Sequence, residues 1–125
     1  MTKKLLFLPI GLLLISSVFA GLKSDLKGGK IIAEDGTFLG KIEGKYSSDS
    51  IFNEYGTYGS EYSSNSIFNE YGTYGSEYSS QSPFNKYSST PPKIYTVKNK
   101  WIYLTANTSL SPRISVLKLR ALFED

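Results

Sequence analysis

The chain has 125 residues, no cysteine, no histidine, ten tyrosines and a formal charge of +3. These counts exclude disulfides, thiolate and imidazole metal sites, a thiol nucleophile, histidine-based triads and a histidine pH switch. A charge so close to zero gives no electrostatic footprint for nucleic acid, and the length fits one domain that buries a modest core without staples.

Residues 1–20 read MTKKLLFLPIGLLLISSVFA. Lys3 and Lys4 form a short basic head, Leu5 to Ile15 is an apolar run broken by Pro9 and Gly11, and Ser16 to Ala20 is a small-residue exit. Val18 and Ala20 suit a signal-peptidase site, which predicts cleavage before Gly21 and a secreted, periplasmic or cell-envelope location. The alternative is an uncleaved membrane anchor. The stretch from Leu5 to Ala20 has 16 residues, against the ~20 that span a bilayer. Gly21 rather than Cys follows the cut, so a bacterial lipid anchor on that residue is excluded. Cleavage removes Lys3 and Lys4 and lowers the charge from +3 to +1.

Gly21 to Gly29 is polar and Gly-rich and reads as a flexible lead-in to a single β-repeat domain over residues 30–125. Ile31 to Ala33 and Phe38 to Ile42 flank Asp35-Gly36, which predicts a hairpin closed by a type I′ turn. An internal repeat follows. Residues 50–65 and 66–81 are identical at 15 of 16 positions, a truncated copy covers 82–89, and a degenerate one covers about 34–49. Phe52, Tyr55, Tyr58 and Tyr62 are spaced 3, 3 and 4 apart, which resembles a helical stripe. Two glycines per copy, with Ser, Thr, Asn and Tyr, argue against a helix. The expectation is two short strands per copy, Ile51 to Tyr55 and Thr57 to Tyr62, with Ser63-Ser64-Asn65 as the turn. A linear stack of so few copies would leave open, Tyr-rich edges. The expected fold is therefore mainly β, a small closed or nearly closed ring or shallow barrel of 16-residue hairpin units. After Pro91-Pro92, Ile94 to Val97 and Trp101 to Thr105 predict a second hairpin. Residues 111–114 are a connector, and Ser115 caps a short C-terminal helix over Val116 to Phe123.

The hairpin DGTFLGKI, the doubled SIFNEYGTYGSEYSS, SPFNKYSSTPPKI, WIYLTAN and the ending SPRISVLKLRAL together resemble the four-fold β-flower family of small β-repeat proteins. The resemblance spans about Lys30 to Leu122, and its most specific part is the tandem motif at Ser50–Ser63 and Ser66–Ser79. It implies a shallow symmetric barrel with hairpin petals and supplies no catalytic or ligand residues. The first copy is degenerate and the last truncated, which departs from four equal copies.

Three sets of side chains could carry function. Tyr55/Tyr71, Tyr58/Tyr74 and Tyr62/Tyr78 are equivalent pairs. Their rings either pack over glycine backbone, which the strand reading favours, or form a surface that stacks on sugars or lipid headgroups. Asn53, Asn69 and Asn85 recur every 16 residues. They either satisfy local turn groups, the favoured reading, or ring an axis and bind a polar ligand. Glu54, Glu61, Glu70 and Glu77 give residues 50–81 a charge of −4 with no Lys or Arg. A solvated acidic rim is favoured over a calcium site or a carboxylate pair for glycoside hydrolysis. Gly56-Thr57-Tyr58-Gly59 opens no helix and fails as a phosphate loop. Lys23, Lys27 and Lys30 form a weak basic stripe, and Asn107-Thr108-Ser109 matches a glycosylation sequon.

The sequence thus points to an exported, non-enzymatic protein with a structural or binding role at the envelope. No cofactor or metal is expected. The expected partner is a glycan, a lipid headgroup or a protein, with self-association as a further expectation. The alternatives are the uncleaved membrane-anchored protein and a carboxylate-only hydrolase.

Overall fold

The computed structural model describes residues 21–124. The expected signal peptide, residues 1–20, lies outside the described residues, as does Asp125. Residues 21–26 form a helix, α1. Composition reads this stretch as flexible, but α1 seats Leu26 in the core, 2 % exposed. Five strands follow: β1 (Lys30–Ile32), β2 (Phe38–Lys41), β3 (Lys93–Tyr95), β4 (Trp101–Leu104) and β5 (Arg113–Ile114). Helix α2 (Val116–Phe123) closes the chain.

The strands form one open sheet of order β2-β1-β3-β4-β5, antiparallel except for the parallel β4–β5 pair. The protein is mainly β, as expected. The sheet itself does not close into a ring, because β2 and β5 are its edges.

Both expected hairpins are present, with a different turn. Gly36 N–H bonds Ala33 O at 2.9 Å and Ala33 N–H bonds Thr37 O at 2.9 Å. Gly36 has φ +89°, and Asp35 is not in the positive-φ region. This is a three-residue loop ending in a left-handed residue, rather than a type I′ turn. The Asp35 side chain takes the Thr37 N–H instead, at 2.9 Å. The β3–β4 loop repeats the construction, with Asn99 at φ 61° and Thr96 N–H on Lys100 O at 2.8 Å.

The 16-residue copies contain no strands, which corrects the two-strand reading. From Ser47 to Ser88 the backbone runs through successive tight turns. The N–H of Ser50 bonds Ser47 O, that of Asn53 bonds Ser50 O, and that of Gly56 bonds Asn53 O, at 3.2, 3.3 and 3.0 Å. A four-residue step, Ser60 N–H to Gly56 O at 3.0 Å, then resets the pattern. The second copy repeats this from Ser63 to Ser76, and the third runs on to Ser88. The steps of 3, 3, 3, 4 and 3 residues sum to the 16-residue period.

The residues at the turn corners explain why this backbone is stable. Ser50, Asn53, Ser60 and Ser63 each accept, through the side chain, the N–H two residues ahead, at 3.0 to 3.3 Å. Side-chain oxygens thereby replace the partners that a helix or sheet ladder would supply. Gly59 and Gly75 let the coil fold back on itself. A Cβ there would overlap the carbonyl oxygens of Asn53 and Asn69 and stand 2.9 and 2.7 Å from those of Ile51 and Ile67.

The coil crosses the inner face of the sheet from one side to the other. It starts at β2, where Ile51 N–H bonds Lys41 O at 3.0 Å. It ends beyond β4, where Ala106 N–H bonds Pro83 O at 2.8 Å. Ile51, Ile67 and Pro83 hold the same place in successive copies and are buried. Ile51 and Ile67 share one apolar cluster with Ile31, Leu39, Ile94, Leu104, Val116 and Leu119. Helix α2 matches its expected bounds. The Ser115 hydroxyl caps it by accepting the Lys118 N–H at 3.1 Å, and Val116 and Leu119 face the core.

Candidate ligand-binding surface

Each copy distributes its large side chains in four directions. Ile51 and Ile67 enter the core. Phe52 and Phe68 turn toward α2, where Phe52 stacks on Phe123 at 5.8 Å and Arg120 lies 5.1 Å over Phe68. Tyr58 and Tyr74 turn toward the β1–β2 hairpin. Tyr58 meets Phe38 edge to face at 5.0 Å. The Tyr74 hydroxyl donates to Asp35 Oδ2 at 2.7 Å and lies 2.9 Å from Thr37 Oγ1. Hydrogen bonds from Tyr74 first, then Thr37, hold the Asp35 carboxyl at a pKa of about 2, below its ordinary 3.8.

The fourth direction is solvent. Tyr55, Tyr62, Tyr71 and Tyr78, which the strand reading expected mainly to pack, are 85–91 % exposed. Tyr46 and Tyr87 extend the row at either end, 89 % and 82 % exposed. The six follow intervals of 9, 7, 9, 7 and 9, so they fall into two files of three, each with the 16-residue period. Only Tyr58 and Tyr74 of the six candidates are half-buried architecture.

Each outer tyrosine follows a charged residue. The four inner ones follow Glu54, Glu61, Glu70 and Glu77, and the outer two follow Lys45 and Lys86. Hydrogen bonding to the adjacent carboxylate, and its repulsion of the phenolate, push the Tyr62, Tyr71 and Tyr78 phenols above their ordinary value. At the ends Lys45 and Lys86 Nζ each lie 5.3 Å from the neighbouring ring centroid. Among the described residues no group of three or more acidic side chains is placed to hold a metal ion.

The asparagines are occupied by the fold. Asn53, Asn69 and Asn85 Nδ2 donate to the carbonyls six residues back, each at 3.1 Å. Their Oδ1 atoms accept the N–H groups of Tyr55, Tyr71 and Tyr87 at 3.1, 3.1 and 3.0 Å. Both ends of every amide serve the turns, as the favoured reading of these residues expects.

Sequence reasoning missed a groove of about 1100 Å³ between α1, the end of α2 and the first copy. Phe52, Phe68 and Phe123 give it apolar walls, and Tyr55 and Tyr62 lie on its side toward the tyrosine row. Lys23 and Lys27, two members of the expected basic stripe, line it together with Glu54 and Glu61. The groove thus shares Tyr55 and Tyr62 with the tyrosine row and carries apolar rings and both charges. Such a surface can stack on ring faces and hydrogen-bond to hydroxyls, the requirements of carbohydrate recognition. No protein-family model, curated protein or solved structure matches the chain.

Proposed function

We propose that the chain is an exported, non-catalytic binding protein of the cell envelope that holds a glycan along the outer tyrosines of its turn coil. The observation that carries this reading is the row of six rings left 82–91 % exposed at regular intervals. Rings held in water add little to folding. A ligand that repeats along its length is the partner that a repeated surface fits. Full burial of such a side chain covers roughly 150–250 Å², and one ring face of it is free to stack on a sugar. The sequence of residues 1–20, a basic head, an apolar run and a small-residue exit, supports the export part of the reading.

Copy equivalence supports binding over catalysis. Glu54 and Glu70 hold matching positions, as do Glu61 and Glu77. A general acid and its base need environments that push their pKa values apart. The tandem motif supports membership of the four-fold β-flower family as part of the same reading. The ring expected of that family would here be completed by the turn coil lying across the open sheet, rather than by strands alone.

The test is co-sedimentation of the protein with insoluble peptidoglycan, chitin and cellulose, comparing the parent with Tyr55→Ala/Tyr71→Ala. Both side chains are exposed, so the variant keeps its fold. The expected result is binding to at least one polymer that weakens about tenfold or more in the variant, ~1.4 kcal/mol. Equal binding by the variant, or no binding by the parent to any of the three, refutes the proposal.

A further inference from the structure

The outer face of the sheet is a second surface, built independently of the coil. The register sets Lys93 opposite Tyr103, Tyr95 opposite Trp101, Lys30 opposite Tyr95 and Arg113 beside Tyr103. Residues paired across strands point to the same side. Their neighbours Ile31, Ile94, Leu104 and Ile114 point to the other and are buried. Across β1, β3, β4 and β5 the outer face therefore gathers three aromatic rings and three cations, while Lys41 on β2, opposite Lys30, is paired with Asp49. Tyr95 and Trp101 are 43 % and 42 % exposed, and Lys30 and Arg113 are exposed. Trp101 meets Tyr103 edge to face at 4.9 Å, and Lys93 Nζ lies 4.7 Å from the indole centroid. No strand of the sheet contains an Asp or Glu. At one end of the face the β3–β4 turn exposes Val97, with Lys100 two residues before the indole's neighbour Ile102.

We infer that this face docks the protein on an anionic bilayer surface. Indole and phenol rings have an apolar body and a polar edge and settle at the level of lipid headgroups. Lys30, Lys93 and Arg113 complement the headgroup charge. Val97 offers an apolar side chain to the boundary below the headgroups. Charge complementarity selects this occupant. A face whose strands carry cations and no acids repels basic partners, its marginal acids Asp25 and Asp49 being paired with Lys98 and Lys41, and a soluble polyanion gives Val97 and the indole no apolar counterpart. The acidic coil covers the sheet's inner face, so a protein docked this way keeps its −4 segment on the layer away from the membrane. The inference stands whether or not the tyrosine row binds a glycan.

Trp101 is the only tryptophan of the chain, so its emission reports docking directly. The full chain and Lys30→Glu/Arg113→Glu are titrated with vesicles of equimolar phosphatidylcholine and phosphatidylglycerol, and with phosphatidylcholine alone. Among the described residues neither Lys30 nor Arg113 is in an ion pair, so the variant is expected to fold, and circular dichroism verifies it. The expected result is a blue shift and lower acrylamide quenching with anionic vesicles only. It should fade toward molar salt, where the Debye length falls to about 3 Å. Each cation near an anionic surface strengthens binding about fivefold, so reversing two weakens it by at least about 25-fold. Four outcomes overturn the inference: no blue shift, equal binding to neutral vesicles, and undiminished binding by the variant, which assigns docking to the N-terminal apolar run, are three. The fourth is the same blue shift with soluble heparin, which assigns the face to a polyanionic polymer.

Discussion

Asn69→Ala and Tyr71→Ala lie two positions apart and separate the turn coil from any strand arrangement of the same residues. Asn69 donates through Nδ2 to Ser63 O at 3.1 Å and accepts the Tyr71 N–H through Oδ1 at 3.1 Å. Each such bond contributes ~1 kcal/mol net, so the alanine variant loses about 2 kcal/mol. In a domain of this size one kcal/mol shifts Tm by ~4–8 °C, which gives a fall of about 8–16 °C. The Tyr71 ring is 90 % exposed, and its removal stays within about ±0.5 kcal/mol, under about 4 °C. Thermal melts followed by circular dichroism, with urea titrations at one temperature, measure both. A half-buried strand would give the reverse order, because there the aromatic side chain packs and the asparagine lies outside the ladder. Melting of Tyr71→Ala at or below Asn69→Ala refutes the turn coil.

Gly75→Ala should cost about 1–3 kcal/mol through overpacking, since its Cβ overlaps Asn69 O and reaches 2.7 Å from Ile67 O. Gly72→Ala meets only Asn69 atoms at 3.4 Å and beyond, so its urea midpoint should move far less. The depressed pKa of Asp35 adds stability that is fully present above 3.8 and lost as pH falls toward about 2. Tyr74→Phe removes the first of its hydrogen bonds and should flatten the dependence of the unfolding midpoint on pH across that window. Ser115→Ala removes the α2 cap and should cost ~1 kcal/mol in a denaturant titration.

The helix α2 and the two hairpins were legible because their signals are local. Ser115 precedes an apolar pattern, and Asp35-Gly36 interrupts two apolar runs. The turn coil left an equally plain mark that matches neither the helical nor the strand period. Phe52, Tyr55, Tyr58 and Tyr62 each sit two residues after a corner at Ser50, Asn53, Gly56 and Ser60, so their 3, 3 and 4 spacing is the step of the turns. The β propensity of Tyr and Ile pulled the reading toward strands, while the Ser and Asn corners, which cap backbone through their side chains, carried the deciding information. The groove and the outer sheet face were not legible. Each depends on long-range placement, of α1 and α2 beside Phe52 in one case and of Arg113 beside Tyr103 in the other.

The coil is fastened at both ends, to Lys41 on β2 and to Ala106 just past β4. Those strands are three spacings apart, roughly 14 Å at ~4.8 Å each. Two 16-residue intervals, Ile51 to Ile67 and Ile67 to Pro83, cover that width. A further duplication would carry its isoleucine past β4, where only the two-residue edge strand β5 remains to be covered. The sheet therefore acts as a ruler on the gene's own repetition: the number of copies that the chain can keep is metered by the number of strands beneath them.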